Sequence, residues 1–257
     1  MPASAKQPDF VRGAQPAGTT DVIEASRAVQ QMFDTIAPKY DRLNHVLSFG
    51  MDRVWWNRAA REFASILRRP DAKVLDLCCG TADMTAALLA RRPQGGAPIT
   101  AVDFSHEMIE RGRAKLAAEP VHFIEADALA LPLENKSQDL VVSAFGFRNL
   151  ADYDAGLREI HRVLRPGGRI GILDFSEPPG LLGTGYRLYF RHLLPRVGGI
   201  VSGSGASYRY LPASVERFPP PAQMCDRMSH AGFVDSLWQP YLFGVAGLWS
   251  GTAALQV

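Results

Sequence analysis

Residues 73–83 have the sequence KVLDLCCGTAD, and this short stretch decides the fold. Residues 73–77 are mainly apolar and are bounded by turn residues, which predicts a buried strand. The small residues at 78–82 predict a turn at which the backbone can approach a ligand closely. A helical pattern follows over 83–91. A strand, a small-residue turn and a helix in this order predict one corner of an α/β domain.

The same alternation continues along the chain to residue 175. Further strands are predicted at 99–103, 121–125, 139–145 and 168–175, with helices at 105–116 and 152–164. Strands that alternate with helices at this pitch form a mostly parallel sheet with helices on both faces. Such a fold binds its ligands at the carboxyl ends of the strands.

The composition limits the class of protein. Of the 257 residues, 47% are hydrophobic, which is enough to bury a core and argues against disorder. The 28 basic and 26 acidic residues leave a net charge of +2, so no strong field attracts nucleic acid. The sequence contains no run of about 18 apolar residues that predicts a membrane span, and its first ten residues lack an apolar signal core.

The three cysteines, Cys78, Cys79 and Cys225, have neither the spacing of a zinc site nor that of a disulfide framework. Free cysteines are typical of a reducing compartment. We therefore expect a cytoplasmic protein without a metal site.

The turn at 78–82 lacks the glycine pattern of dinucleotide-binding proteins. Only Gly80 matches the G-x-G-x-x-G pattern, because Ala82 and Thr85 occupy the other two positions. A pyrophosphate needs closer backbone approach than Ala82 allows, so NAD is disfavoured. A cofactor without phosphates tolerates Ala82 better. Taken alone, the turn is also typical of an ordinary strand–turn–helix corner.

Polar or small residues follow the next three strands in order. Asp103 ends the second strand, where a carboxylate can accept two hydrogen bonds from ribose hydroxyls. Asp127 and Ala128 follow the third strand, placed to receive an adenine amino group, and Ser143 lies near the end of the fourth. Asp103 and Asp127 could instead be helix-cap or turn residues. The predicted cofactor contacts are Gly80, Thr81, Ala82, Asp103, Asp127, Ala128 and Ser143.

Two longer stretches resemble a known family. Residues 40–50 have the sequence YDRLNHVLSFG, and residues 162–168 have RVLRPGG and continue to LDFS at 173–176. Both resemble signatures of the ubiquinone/menaquinone biosynthesis C-methyltransferases, over about residues 29–240. The resemblance implies a Rossmann-like class I methyltransferase fold with S-adenosylmethionine as the cofactor.

Single positions depart from the family's pattern. Leu43 stands where Met is usual, Asp52 where His is common, and Asp174 where Glu precedes the Phe-Ser pair. Ala82 replaces the usual second glycine. None of these changes removes a chemical group that methyl transfer requires.

The resemblance implies methylation of a ring carbon of a prenylated quinol, with demethylmenaquinol as the expected acceptor, and a catalytic part for Arg148 and Asn149. Because the pKa of an arginine exceeds about 12, we interpret Arg148 as a fixed cation that stabilises a phenolate rather than as a base. The alternative is a structural ion pair with Asp152 or Glu177. Asn149 could orient a quinol oxygen or cap the helix at 152.

Three groups complete the predicted substrate site. His192 could take a proton near neutral pH, although a His on an apolar helix is more often a packed core residue. Tyr40 and Asn44 lie in a segment that could fold over the cofactor, and Tyr208 belongs to a stretch that resembles the family. The predicted catalytic residues are thus Arg148, Asn149 and His192, and the predicted substrate contacts are Tyr40, Asn44 and Tyr208.

Residues 181–197 combine an apolar stripe with three arginines, Arg187, Arg191 and Arg196. Such a segment could guide a prenyl tail or contact a bilayer surface, which predicts transient, peripheral binding at the inner face of the membrane. A helix packed on the core is the alternative. The sequence leaves open whether the chain forms a homodimer.

The chain is expected to form one domain over 21–257, preceded by a mobile tail over 1–20. Its parts are predicted to be a helical cap over 21–70, a cofactor-binding core over 71–178, a substrate- or membrane-facing insertion over 179–220 and a C-terminal helix and strands over 221–257.

Two other functions stay open on the sequence. The same fold could methylate a ubiquinone-precursor benzoquinol or another small molecule, or it could serve as a nucleotide-binding module without activity. A nucleic-acid methyltransferase is disfavoured by the charge balance and by the lack of an NPPY-type tetrapeptide near 145–148.

Overall fold

A computed structural model describes residues 12–41, 45, 48, 50–178 and 205–255, with the side chains of 39, 205–209 and 211 excepted. Seven strands form one sheet. In chain order they are β1 (Val74–Leu77), β2 (Ile99–Asp103), β3 (Val121–Glu125), β4 (Gln138–Ala144), β5 (Leu164–Phe175), β6 (Phe233–Tyr241) and β7 (Ala246–Ala253).

The strand order across the sheet is β3-β2-β1-β4-β5-β7-β6. Strands β1 to β5 are parallel, and β7 lies antiparallel between β5 and β6. The chain order therefore reverses direction between β1 and β4, which is the switch point where open α/β sheets bind ligands. The predicted mostly parallel α/β sheet is confirmed.

Helices pack on both faces of this sheet. In chain order they are α1 (Val22–Ile36), α2 (Met51–Glu62), α3 (Ala64–Leu67), α4 (Asp83–Leu89), α5 (His106–Lys115), α6 (Tyr153–Val163), α7 (Gly205–Arg217) and α8 (Pro221–His230). Side chains that accept from the backbone begin three of them, namely Asp21 for α1, Ser105 for α5 and Asp152 for α6. Within the described ranges, none of the helices combines the length and apolarity that crossing a bilayer requires.

Alternate residues of the central strands enter two different cores. Val141 of β4 belongs to a cluster with Leu157 of α6 and Trp249 of β7. Its neighbour Val142 belongs to a second cluster with Phe63, between α2 and α3. Because successive side chains of a strand point to opposite faces, the two cores lie on opposite sides of the sheet. Burial on both faces is typical of parallel sheets.

One helical stretch is interrupted, and one predicted boundary is wrong. Helices α2 and α3 are separated at Phe63, whose φ and ψ of −100° and 15° are not helical. Strand β5 begins at Leu164 instead of 168, because Leu164 already pairs with Gln138. The register then shifts before Leu140 pairs with Arg169, so the Pro-Gly-Gly turn lies within the strand as an irregularity.

The prediction of a mobile tail up to residue 20 is wrong for its last part. Ala14 is buried, and its amide donates to the carbonyl of Leu150 at 2.8 Å. The carbonyl of Arg12 accepts from the amide of Tyr153 at 2.8 Å. Paired backbone groups hold this stretch although its side chains are polar or small, which is why composition alone did not reveal it.

One carboxyl group lies inside the central strand. Asp76 in β1 is fully buried, and one of its oxygens accepts from the hydroxyl of Thr85 at 2.5 Å. Burial raises the pKa of Asp76 to about 7, and the nearby charge of Asp103 adds to that rise. The folded chain therefore holds a proton at Asp76 over a range in which the unfolded chain has released it.

This proton makes the stability depend on pH. As the pH rises from about 4 to about 7, the free energy of unfolding falls by up to about 1.4 kcal/mol per pH unit. It falls because the folded chain retains the proton of Asp76, whereas the unfolded chain has released it. We expect Asp76→Asn to flatten the fall in the free energy of unfolding across this window, as measured by urea denaturation. The exposed Asp71→Asn change serves as the control and should leave the pH profile as it is. An unchanged slope in Asp76→Asn would show that Asp76 is not the group that titrates.

Candidate functional site

A cavity of about 950 Å³, including space open to solvent, lies at the carboxyl ends of β1, β2 and β4. The turn after β1, which contains Gly80 and Thr81, forms its floor. Ser26 and Phe33 of α1 form its outer side, and Tyr40 lies where that segment ends. The described wall also contains Asp103, Asp127, Ala128 and Asn149, so seven predicted site residues meet in one place.

Asp103 joins two turns of this wall. One carboxylate oxygen accepts from the amide of Gly80 at 2.8 Å, and the other accepts from the amide of Ser105 at 3.0 Å. Asp103 does not cap α5, because Ser105 is the cap. Burial raises the pKa of Asp103 to about 6, and its backbone hydrogen bonds oppose that rise. Each carboxylate oxygen can accept more than one hydrogen bond, so the group can also serve a ligand.

The turn after β1 has an unusual backbone. Cys78, Gly80 and Ala82 all have positive φ, at 57°, 53° and 70°. After β4, Phe145 also has a positive φ of 56°. Left-handed backbone at a non-glycine residue costs about 1–3 kcal/mol, and such residues cluster at ligand sites. The strain at this edge of the sheet marks the cavity as functional.

Two predicted cofactor contacts are not on the described wall. Ala82 is fully buried behind it, where its methyl group faces Gly112 of α5. Ser143 is also buried, one residue before the wall begins at Ala144. Ala82 therefore shapes the turn through its backbone. Neither the Ala82 nor the Ser143 side chain lines the described cavity.

Asp127 lies exposed on the wall. One of its oxygens accepts from the amide of Leu129 at 2.9 Å, which is the turn role that the sequence left open. The second oxygen accepts no hydrogen bond from a described residue. Asp127 can therefore hold the turn and also accept a hydrogen bond from an adenine amino group.

Arg148 lies behind the wall, with only 6% of its side chain exposed. Its Nη1 pairs with Asp174 at 3.0 Å and also donates to the carbonyl of Phe145. Its backbone amide donates to Asp174 at 3.0 Å. The acidic partner is thus Asp174, whereas Asp152 caps α6 and pairs with Arg12. The suggestion of an ion pair with Asp152 is wrong, because Arg148 pairs with Asp174 and Asp152 pairs with Arg12.

Burial lowers the pKa of Arg148, but the attraction of Asp174 more than offsets this, and the pKa is raised overall. Arg148 is therefore a permanent cation. Its Nε is buried and has no hydrogen-bond partner among the described residues, which leaves one unused donor inside the protein.

Asn149 reaches the wall itself. Its Oδ1 accepts from the hydroxyl of Tyr210 in α7 at 3.1 Å, so it does not cap the helix at 152. Sequence reasoning missed both Tyr210 and the pairing of Asp174. Asp174 drew attention only as a departure from the family's Glu, and Tyr210 lies in the same family-like stretch as Tyr208 but was given no role.

Tyr40 faces the floor of the cavity and packs edge-on against Phe33, with 6.0 Å between the ring centres. It also lies near enough to Arg148 to interact with its charge. Asn44, His192, the segment 181–197 and the side chain of Tyr208 lie outside the described residues.

The charges of the wall fit a phosphate-free, positively charged ligand. Three carboxylates, Asp83, Asp103 and Asp127, line the described cavity, and no Lys or Arg is among the lining residues there. Phosphates need cations or a glycine-rich cradle, and neither is present in this part of the wall. Apolar side chains such as Met108 and Leu129 provide surfaces for a base. The sulfonium and nucleoside of S-adenosylmethionine match this set of groups.

Comparisons with known proteins agree with this geometry. The model of the ubiE/COQ5 methyltransferase family matches residues 20–253. Demethylmenaquinone methyltransferases of Deinococcus radiodurans and Thermus thermophilus are 45% and 46% identical to this chain, covering 90% and 86% of it and 95% and 99% of their own lengths. A ubiquinone/menaquinone biosynthesis C-methyltransferase of Geotalea daltonii is 40% identical over 89% of this chain and 97% of its own.

Solved structures show the same fold at low identity. An S-adenosylmethionine-dependent methyltransferase of Thermotoga maritima superposes with a TM-score of 0.63 at 19% identity, covering 87% of this chain and 99% of that one. The predicted Rossmann-like class I fold is confirmed.

We expect Asp103→Asn to weaken S-adenosylmethionine binding at least tenfold, since a lost charge-assisted hydrogen bond costs about 1.5–3 kcal/mol. Asn keeps one acceptor for the two turns, which Asp103→Ala would remove. Because the carboxylate is the acceptor, wild-type affinity should also fall as the pH drops through about 6. Calorimetry measures both effects. Glu125→Gln makes the same change at the aligned position of β3, away from the wall, and should bind normally; equal affinities in all three proteins would remove Asp103 from the site.

Proposed function

This chain belongs to the ubiE/COQ5 methyltransferase family and is an S-adenosylmethionine-dependent methyltransferase of menaquinone biosynthesis, and from this premise we propose how its residues methylate a prenylated naphthoquinol, demethylmenaquinol. The observation that carries the proposal is the arrangement after β4. There Asn149 lies on the wall of the cofactor cavity, and the buried cation Arg148 lies directly behind it.

When bound, S-adenosylmethionine supplies an electrophilic methyl group. The protein must then hold a ring carbon in line with that group and exclude water, which can provide much of the rate acceleration. Phe145 and Tyr40 give the cavity apolar surfaces beside Asn149. We place the quinol ring against these two side chains.

A phenol is a weak carbon nucleophile, and its phenolate is a stronger one. With a pKa near 10 for a phenol, the phenolate requires positive stabilisation near neutral pH. Arg148 provides that charge and cannot act as the base, because its pKa is raised. Asn149, fixed by Tyr210, orients the quinol oxygen. In this proposal Tyr40, Asn44 and Tyr208 bind the quinol.

The ring proton must also leave after methyl transfer. We assign this step to His192, because the unperturbed pKa of an imidazole lies near neutral pH.

The prenyl tail keeps the acceptor in the bilayer, so the enzyme meets it at the cytoplasmic face of the membrane through the segment 181–197. Sedimentation with anionic vesicles should then decrease with salt and with the changes Arg187→Glu and Arg191→Glu.

A benzoquinol precursor of ubiquinone is the second candidate acceptor. The relative from Geotalea daltonii carries both pathways in its name, which favours this alternative over other small molecules. The two acceptors differ in the size of the ring system that must fit beside Asn149.

One assay tests the proposal. The purified chain is incubated with labelled S-adenosylmethionine and a panel of reduced demethylmenaquinones and benzoquinols, and the products are identified by mass spectrometry. We expect methylation of the naphthoquinols at a higher kcat/KM than that of the benzoquinols. The reverse order would favour the ubiquinone precursor, and cofactor binding without transfer to any quinol would contradict the proposal.

We expect Arg148→Lys to lower turnover at least tenfold while cofactor affinity stays within about twofold, because Lys keeps the charge but loses the planar guanidinium, whose Nη1 contacts both Asp174 and Phe145. Single-turnover kinetics with calorimetry separates the two effects. Arg227→Lys is the control, since it shortens another buried Arg, paired with Asp154 at 2.7 Å, away from the cavity. Parental turnover in Arg148→Lys and Arg148→Ala would show that Arg148 is structural.

A further inference from the structure

A cluster of four polar side chains joins three separate parts of the cavity wall. Lys115, the last residue of α5, places its ammonium 2.7 Å from Asp41, 3.0 Å from Asp83 and 3.1 Å from the hydroxyl of Thr81. The Thr81 hydroxyl in turn donates to Asp41. The ammonium donates hydrogen bonds to Asp83 and Thr81 and forms an ion pair with Asp41, so all three partners depend on the same charged group.

The three acceptors belong to different elements. Thr81 lies in the turn after β1, Asp83 begins α4, and both line the cavity. Asp41 lies at the end of the segment that starts with α1, directly after Tyr40. Lys115 itself is not among the lining residues of the described cavity. It therefore acts on the wall from outside.

Few side chains of α1 are buried against the rest of the protein. Only Ala25 and Val29 are buried on this helix. Ser105 donates to Asp34 at 2.6 Å, and Gln30 donates to the carbonyl of Phe104 at 2.6 Å. A wall held by a few polar contacts can detach locally at low free-energy cost, whereas a wall packed on an apolar core cannot.

The charges within the cluster are unbalanced. Two carboxylates share one ammonium, so removing Lys115 leaves Asp41 and Asp83 to repel each other. Burial raises the pKa of Asp83, and Lys115 opposes that rise. The side chains are about one-third to one-half exposed, so the attraction is real but partly screened by solvent and salt.

We propose that Lys115 is a positioning residue for methyl transfer, which holds Asp41 against Thr81 and Asp83 and so keeps Tyr40 over the floor of the cofactor cavity. The inference rests on the proposed function, because it concerns the same cavity. Tyr40 is also near enough to Arg148 to interact with its charge, so the position of Tyr40 matters for the acceptor as well as for the cofactor.

The test compares S-adenosylmethionine with S-adenosylhomocysteine, which lacks the sulfonium charge. Lys115→Met removes the ammonium and keeps the length of the side chain. We expect both ligands to bind about tenfold more weakly to Lys115→Met by calorimetry, which corresponds to about 1.4 kcal/mol. If Lys115 acted only through its long-range charge, its removal would strengthen binding of the cationic ligand and leave the neutral one nearly unchanged.

Two further variants separate positioning from a general effect on folding. Lys115→Arg keeps the charge and should restore affinity to within about threefold of wild type. Arg113→Met removes a cation two residues away on α5, whose side chain pairs with Glu110 outside the cavity, and should leave both affinities unchanged. Equal losses in Lys115→Met and Arg113→Met would show that only the helix had been destabilised.

A double-mutant cycle tests the route through Asp41. If Lys115 acts by holding Asp41, the variant with both Lys115→Met and Asp41→Asn should bind no more weakly than the weaker single variant. Fold losses that multiply would contradict the proposal. These binding measurements need no quinol, so the two proposals can fail separately. If Lys115→Met binds both ligands as tightly as the wild type does, this inference alone is overturned. If the wild type binds no S-adenosylmethionine, the proposed function is overturned.

Discussion

The carboxylate of Asp103 holds the site together, because it accepts hydrogen bonds from the turn after β1 and from the turn after β2 at the same time. Parallel strands place these turns side by side, and the buried carboxylate links them. The link costs desolvation, which is visible in the raised pKa of Asp103. The cavity between the turns therefore has a fixed floor, while its outer side depends on weaker contacts.

Local patterns in the sequence predicted the floor well. Strands β1 to β3 lie where short apolar runs end in turn residues, and Asp103 and Asp127 lie on the wall because ligand groups in this fold follow strand ends. The same reasoning placed Ala82 and Ser143 on the wall, where the structure does not have them. Position along a strand predicts closeness to the site, but the direction of one side chain also depends on local φ and on what packs behind it.

Contacts between distant residues could not be predicted in this way. Ser105 and Asp34 are 71 positions apart, and Lys115 and Thr81 are 34 apart. A charged residue at the end of a helix usually faces solvent, so nothing in the pattern around Lys115 distinguishes it from Arg113. Asp174 shows the same limit, since its pairing with Arg148 depends on the turn that follows a neighbouring strand. The sequence therefore revealed which residues could do the chemistry, and the fold revealed which ones hold them in place.

The position of β7 has a consequence for how the protein is made. This strand is the last in chain order, yet it lies inside the sheet, between β5 and β6. A chain that has not been translated past residue 246 leaves an unpaired edge on β5, and β6 has no neighbour at all. Unpaired edges favour aggregation. The sheet therefore cannot close until β7, with Trp249, has been synthesised and has paired with both β5 and β6.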